Sequence, residues 1–288
     1  MNHSVLLGEI INQEAICEEE RELTFFIDAA LGYLNRTFSK SLQVKAEYLA
    51  YKFQGVFSGA SAAFLYYRLL KLLLYPLQIK SGIGEGKLYL EELGTMDGPA
   101  YFNACQALKH SLREDFNLCY IAFSKSDPYI NSLLQASDYL DRKQSISTNL
   151  IKLMAELYFP LFKKNAMIFF EFREDHNFLK ALEYKEFFYN HLSEIDSSIK
   201  GAYPQAKNYR LPSLTDCEIY NLDDLCNKDH PEIIDCFWKR GFASKIANSM
   251  NNTTRQNVEK HLEGGISFQR NLDGAIALML GEKKKLFP

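Results

Sequence analysis

Apolar positions come in short runs and helical stripes that alternate over the first ~125 residues, the range of one ordinary domain. Residues 4–11, SVLLGEII, are nearly all apolar and predict a buried strand. Over residues 18–37, Leu23, Phe26, Ile27, Ala30, Leu31 and Leu34 recur at helical spacing behind an acidic start, which suits the positive end of a helix dipole. Residues 42–57 read as an extended hairpin, and residues 58–75 as a helix that stops before Pro76. Residues 77–90, LQIKSGIGEGKLYL, predict two strands around a Gly-rich turn. Asp97-Gly98-Pro99 is a turn signal ahead of a helix over 99–112, and 117–124 reads as a strand. The order β-α-β-β-α-β-β-α-β contains the split β-α-β arrangement of ferredoxin-like sheets, expected with one layer of helices.

Residues 1–126 are therefore expected to form an α+β domain. From 127 to 192 the pattern turns helical, with an aromatic strand expected at Ala166–Phe172. Glu171 to His176 is expected to be a solvated turn, and Phe187-Phe188-Tyr189 to lie in a core or interface. Residues 200–216 hold two prolines and few apolar residues and read as a linker. This places a mainly helical middle region at 127–215 and a last domain at 216–288.

In that last segment three helices fit. Pro231 opens the first, with Ile233, Ile234, Phe237 and Trp238 on one side and Gly241 at its end. The second carries Phe242, Ile246, Ala247 and Met250. Asn251-Asn252 suits a tight turn, and Thr253 or Thr254 can cap the third helix, which turns Val258 and Leu262 inward. Its outer face would offer Thr254, Arg255, Gln256, Asn257 and Lys260. Arg and Lys reach phosphates or guanine, and Gln and Asn can pair with adenine edges. The segment IANSMNNTTRQNVEKHL resembles the helix-turn-helix of bacterial regulators, with a connection one residue longer than the commonest form.

Charge distribution agrees with this. From Lys239 to Lys285 nine Lys or Arg face four acids, a surplus of five in a chain whose net charge is -3. A basic end on an acidic body fits a nucleic-acid module joined to something else. Hydrophobic residues make up 47% and charged residues 24% of 288, the make-up of a folded protein. The apolar stretch Ala62–Tyr75 is broken by Arg68 and Lys71, which argues against a membrane span. With no basic, apolar start, the expected location is the cytoplasm. Six cysteines with no close C-x-x-C pair read as reduced thiols.

Four motifs follow in order in the first half: Gly8-Glu9-Ile10-Ile11-Asn12, Phe53-Gln54-Gly55, Ile79 to Gly86, and Asp97-Gly98-Pro99-Ala100-Tyr101-Phe102-Asn103-Ala104. Over about residues 4–110 the chain resembles the SatD family, similar to its GDI-x-NS start, GDEFQG hairpin, R-x-GIGIG strand and DGPA-Y-NAR helix. That pattern is in turn similar to class III nucleotidyl cyclases and palm-type polymerases. There, an acid after the first strand and an Asp at the hairpin tip hold two metal ions that act on a nucleoside triphosphate. The resemblance implies Glu9 as a metal ligand for Mg2+ or Mn2+, and Glu9, Gly82, Gly84, Asp97 and Asn103 as a nucleotide or cofactor site. Tyr51-Lys52 stands where the hairpin Asp is expected, and Cys105 replaces the family's Arg. A neutral phenol is a poor ligand for a hard cation, so the site is expected to be catalytically impaired. The glycine run can mark a phosphate approach or a bulged strand pair, and Asn103 a ligand contact or a polar helix face.

The resulting expectation is a DNA-binding transcriptional regulator, homodimeric on paired half-sites, whose N-terminal domain senses a nucleotide or small ligand. A metal-dependent nucleotidyl cyclase or transferase and a protein-interaction scaffold are the alternatives.

Overall fold

Residues of alternating parity in the first strand feed two different cores. In the computed structural model, which describes residues 2–11, 16, 19–90, 96–142, 145–171, 173–195, 210–225, 241–250 and 253–286, β1 spans His3–Ile10. Its Leu6 and Ile10 join the main core, while Val5 and Leu7 join a second cluster on the opposite face. A strand buried on both sides needs apolar residues at consecutive positions, which is why SVLLGEII shows no strict alternation.

Helix α1 (Glu20–Thr37) follows, then the hairpin β2 (Leu42–Leu49) and β3 (Lys52–Phe57), helix α2 (Ala60–Leu74), β4 (Ile79–Gly86), a small pair β5 (Tyr89–Leu90) and β6 (Met96–Asp97), helix α3 (Pro99–Arg113) and β7 (Leu118–Ile121). The main sheet has the order β2-β3-β1-β4-β7. β1 is antiparallel to both β3 and β4, β3 is antiparallel to β2, and β7 is parallel to β4. The architecture is a mixed α+β one.

Two expectations about this half are corrected. Ile79 to Gly86 is one unbroken strand, not two around a turn. The helices also do not form a single layer: α1 and α2 cover one face, and α3 covers the other. The glycines explain both points. A Cβ on Gly82 would lie 2.2 Å from the Leu108 amide nitrogen, and one on Gly84 2.1 Å from that of Ala104. Bare glycine lets the α3 backbone rest directly on β4.

Helix α2 is buried almost all round, which accounts for its long apolar run. Its Leu70 and the α1 residues Phe26 and Ile27 are fully shielded, each worth about 2–3 kcal/mol of transfer free energy. Around α2 lie the later helices α4 (Asp127–Arg142), α5 (Ile146–Tyr158), α6 (His176–Ile195) and α10 (Ser267–Leu286). A two-residue strand β8 (Leu161–Phe162) pairs in parallel with β9 (Tyr220–Asn221), which leads into the short helix α7 (Leu222–Leu225). The aromatic strand expected at Ala166–Phe172 is not formed over the described residues 166–171. Asp175 is also not solvated: it is 4% exposed, accepts from the Phe178 amide at 2.8 Å and pairs with Arg36. Phe188 and Tyr189 lie in the core, and Phe187 is exposed.

Near the C-terminus, α8 (Phe242–Ser249) and α9 (Arg255–His261) precede α10. The first of the three expected helices, over 231–240, and the turn residues Asn251 and Asn252 lie outside the described residues. Ile246, Val258, Leu262 and Ile266 belong to the same buried cluster as the sheet and α2. No helix among the described residues is long and apolar enough to cross a membrane.

Candidate functional site

Glu9 sits near the end of β1, in register with Lys52 on one side and Lys80 on the other. Cross-strand partners share a sheet face, so this carboxylate lies between two cations. The Lys52 ammonium is 4.0 Å from Glu9 Oε2. Lys80 Nζ instead donates to the carbonyls of Ser111 and Glu114, at 2.7 and 2.8 Å, and so closes the C-terminal end of α3.

The hairpin tip that would supply a second acid carries none. Ala50 and Tyr51 both have positive φ, 49° and 66°, with Leu49 opposite Lys52, as a two-residue type I′ turn requires. A carboxylate on the same face is Glu47, held by the Gln54 amide at 3.0 Å. Glu47 sits on β2, with β3 between it and Glu9. Among the described residues, no group of three His, Cys, Asp or Glu side chains could hold a metal ion. These residues do not fit a two-metal centre, because Tyr51 stands where the second acid is needed and the Lys52 beside it places a cation 4.0 Å from Glu9.

The remaining cofactor candidates do not gather around Glu9. Gly82 and Gly84 are roofed by α3. Asp97 is exposed and accepts from the Gly98 amide at 2.6 Å, ahead of the first turn of α3. Gly98 has φ 104°, a left-handed conformation that favours glycine, and a Cβ there would meet the Tyr89 ring at 2.8 Å. Asn103 is 4% exposed and donates to the Glu85 carbonyl at 2.9 Å, stitching α3 to β4. Asp97 precedes the N-terminus of α3, and Glu9 lies by Lys80 at its other end. A 15-residue helix, about 22 Å long, separates them.

The C-terminal candidates do share one surface. Thr254 caps α9, its hydroxyl accepting from the Asn257 amide at 3.2 Å. Thr254, Arg255, Gln256, Asn257 and Lys260 are all exposed, while Val258 faces the core. Arg255 pairs with Glu259 at 2.7 Å one turn on, and Asn257 donates to Thr253 Oγ1 at 2.8 Å. Behind this surface, His261 Nδ1 lies 3.0 Å from Thr148 Oγ1 on α5, and burial pushes its pKa down. Helix α8 is seated by Phe242, whose ring stacks on Phe159 with centroids 3.5 Å apart, and by the hydrogen bond between Ser249 and Tyr158.

One cluster has no counterpart among the sequence-derived candidates. Arg68 of α2 binds Asp273 of α10 at 2.6 Å and Glu156 of α5 at 2.8 Å, and Arg270 of α10 binds the same Glu156. Beside them, Lys71 of α2 meets Asp138 and Asp141 of α4 at 3.1 and 2.7 Å, and Lys152 of α5 also reaches Asp141. Burial opposes the charge on Asp141, yet Lys71 and Lys152 hold its carboxyl well below the usual range. Glu156 is likewise lowered against its burial by Arg270 and Arg68. The signal was present: Arg68 and Lys71 lie three apart in an apolar helix, and Asp138 and Asp141 lie three apart in another, so each pair shares a face.

Compared with known proteins, residues 4–168 match the family described as the SatD family. The match extends past the motif-bearing first 110 residues into α4, α5 and β8. No curated protein and no solved structure matches.

Proposed function

The chain belongs to the SatD family, and on that premise we propose that it is a homodimeric DNA-binding regulator whose α8 and α9 act as a helix-turn-helix. The observation that carries this reading is the outer face of α9. Arg255, Gln256, Asn257 and Lys260 are exposed together on a helix whose inner side is anchored by Val258. Side chains of these types combine phosphate contact with base-edge recognition. The basic surplus of the surrounding segment supplies the attraction that steers a polyanion. Homodimerisation would set two such faces on paired half-sites.

The main sheet supports a ferredoxin-like, cyclase-like origin, since β3 lies antiparallel between β1 and β2 and β4 flanks β1 on the other side. The salt link from Lys52 to Glu9 and the acid-free hairpin tip argue against nucleotidyl transfer at that sheet. The N-terminal half then serves as a scaffold and a sensor, not as a catalyst.

Fluorescence anisotropy with labelled duplex DNA tests the proposal. Arg255→Ala with Lys260→Ala is expected to weaken binding at least about tenfold, since each lost phosphate contact weakens binding to all sequences alike. Unchanged affinity in a variant with native stability would rule it out.

A further inference from the structure

We propose that a cavity between α2, α4, α5 and α10 binds a small, net-neutral, hydrogen-bonding ring compound of nucleobase or nucleoside type. It has a volume of about 770 Å3, within the range of small-molecule sites, and its lining includes the exposed residues Ile11, Gln78, Asp115 and Ser145. The inference stands independently of DNA binding.

Unmet hydrogen bonding is the first observation. The side-chain carbonyl oxygen of Asn149 and the hydroxyl of Tyr67 belong to residues that line this cavity and are 8% and 4% exposed, and neither atom has a hydrogen-bond partner among the described residues. A buried polar atom left unpaired is costly, because it has given up its hydrogen bonds to water. A ligand N–H or O–H removes that cost at Asn149, and Tyr67 can donate or accept.

Charge is the second. The wall carries six cations and five carboxylates, and all of them but Lys80 are paired with one another. Arg68 and Arg270 pair with Glu156 and Asp273, and Lys71, Lys152 and Arg142 pair with Asp138, Asp141 and Asp115. Lys80 has its ammonium on two backbone carbonyls. A multiply charged anion or cation would meet at most the single excess charge of Lys80 and would be poorly compensated for its lost hydration. Nucleotides and polyamines are thereby disfavoured.

Shape is the third. Phe64, Tyr67, Tyr75 and Tyr189 line the same space. Their rings offer faces and edges for a planar ligand. A flat, uncharged ring with N–H donors satisfies all three conditions at once.

The test uses the full chain with adenosine, guanosine, cytidine, uridine and the free bases, read by thermal shift and calorimetric titration. At about 5 mM at least one of them is expected to raise the melting temperature by about 2 °C or more, as any ligand selective for the native state does. Asn149→Leu and, separately, Tyr67→Phe keep the volume nearly unchanged and are expected to reduce or abolish that shift. A flat response to every nucleoside and base overturns the proposal. So does an equal or larger shift from adenosine monophosphate or an L-amino acid, or a shift that survives intact in both variants.

Discussion

Replacing Gly84 with alanine asks whether the glycine run of β4 serves packing or ligand binding. The added Cβ would stand 2.1 Å from the Ala104 amide nitrogen and 2.3 Å from the Ala100 carbonyl oxygen. Ordinary van der Waals contact begins near 3.4 Å, so α3 would have to retreat by more than an ångström. Both clashing atoms are backbone, and no rotamer change relieves them. The retreat would also open the packing of Ala100 and Ala104 on Val5 and Val56. Overpacking of this kind costs about 1–3 kcal/mol and occasionally more, and the backbone contact argues for the upper end, about 3 kcal/mol. For a chain of this length that is a fall of about 6 °C in melting temperature. Circular dichroism melts and urea titrations of Gly84→Ala measure it. A melting temperature within about 1 °C of the parent would refute the packing explanation and reopen a ligand-binding reading of the run.

Arg270→Met should destabilise by about 3 kcal/mol in urea titrations, because the buried Glu156 loses one of its two cations and keeps only Arg68, which it shares with Asp273; adding Glu156→Met, which keeps the Arg68–Asp273 pair, should restore a large part. The lowered carboxyls of Asp141 and Glu156 predict acid sensitivity. Their contribution is full above the unfolded carboxylate range, about pH 4, and is lost as pH falls toward the depressed folded values, at about 1.4 kcal/mol per unit of depression. Denaturation at pH 6 and pH 3 should show that loss, and equal stability would contradict it. Ala50→Asn should raise stability by about 0.5–1 kcal/mol, since Asn tolerates the left-handed φ of 49° that strains alanine in the exposed turn; a lower melting temperature would contradict that.

Local patterns made most of the N-terminal half legible. The stripe from Leu23 to Leu34 marks α1, and the run ending at Pro76 marks α2, because burial of one helical face repeats with the helix period. The face on which α3 lies was not legible, since Gly82 and Gly84 are equally compatible with a turn, a phosphate loop or a helix seat. Only the packing of Ala100 and Ala104 decides among these. Glu9 was readable as an acid after the first strand, but its neighbours Lys52 and Lys80 come from other strands and depend on register. The ion cluster was half legible: the pairs Arg68–Lys71 and Asp138–Asp141 share helix faces by their spacing, but which acid meets which base was hidden, because Arg68, Glu156 and Asp273 are far apart in sequence. The cap at Thr254 and the exposed side of α9 were readable because both follow from helix spacing alone.

The salt dependence of binding to duplex DNA tests the central proposal most directly. If two protomers each place Arg255 and Lys260 on phosphates, log affinity should fall against log salt with a slope of about -3 to -4 between roughly 50 and 200 mM. The slope should be nearly abolished by Arg255→Ala with Lys260→Ala. Absence of binding to duplex DNA at low salt, or binding whose slope is unchanged in the double variant, would contradict a helix-turn-helix function for α8 and α9.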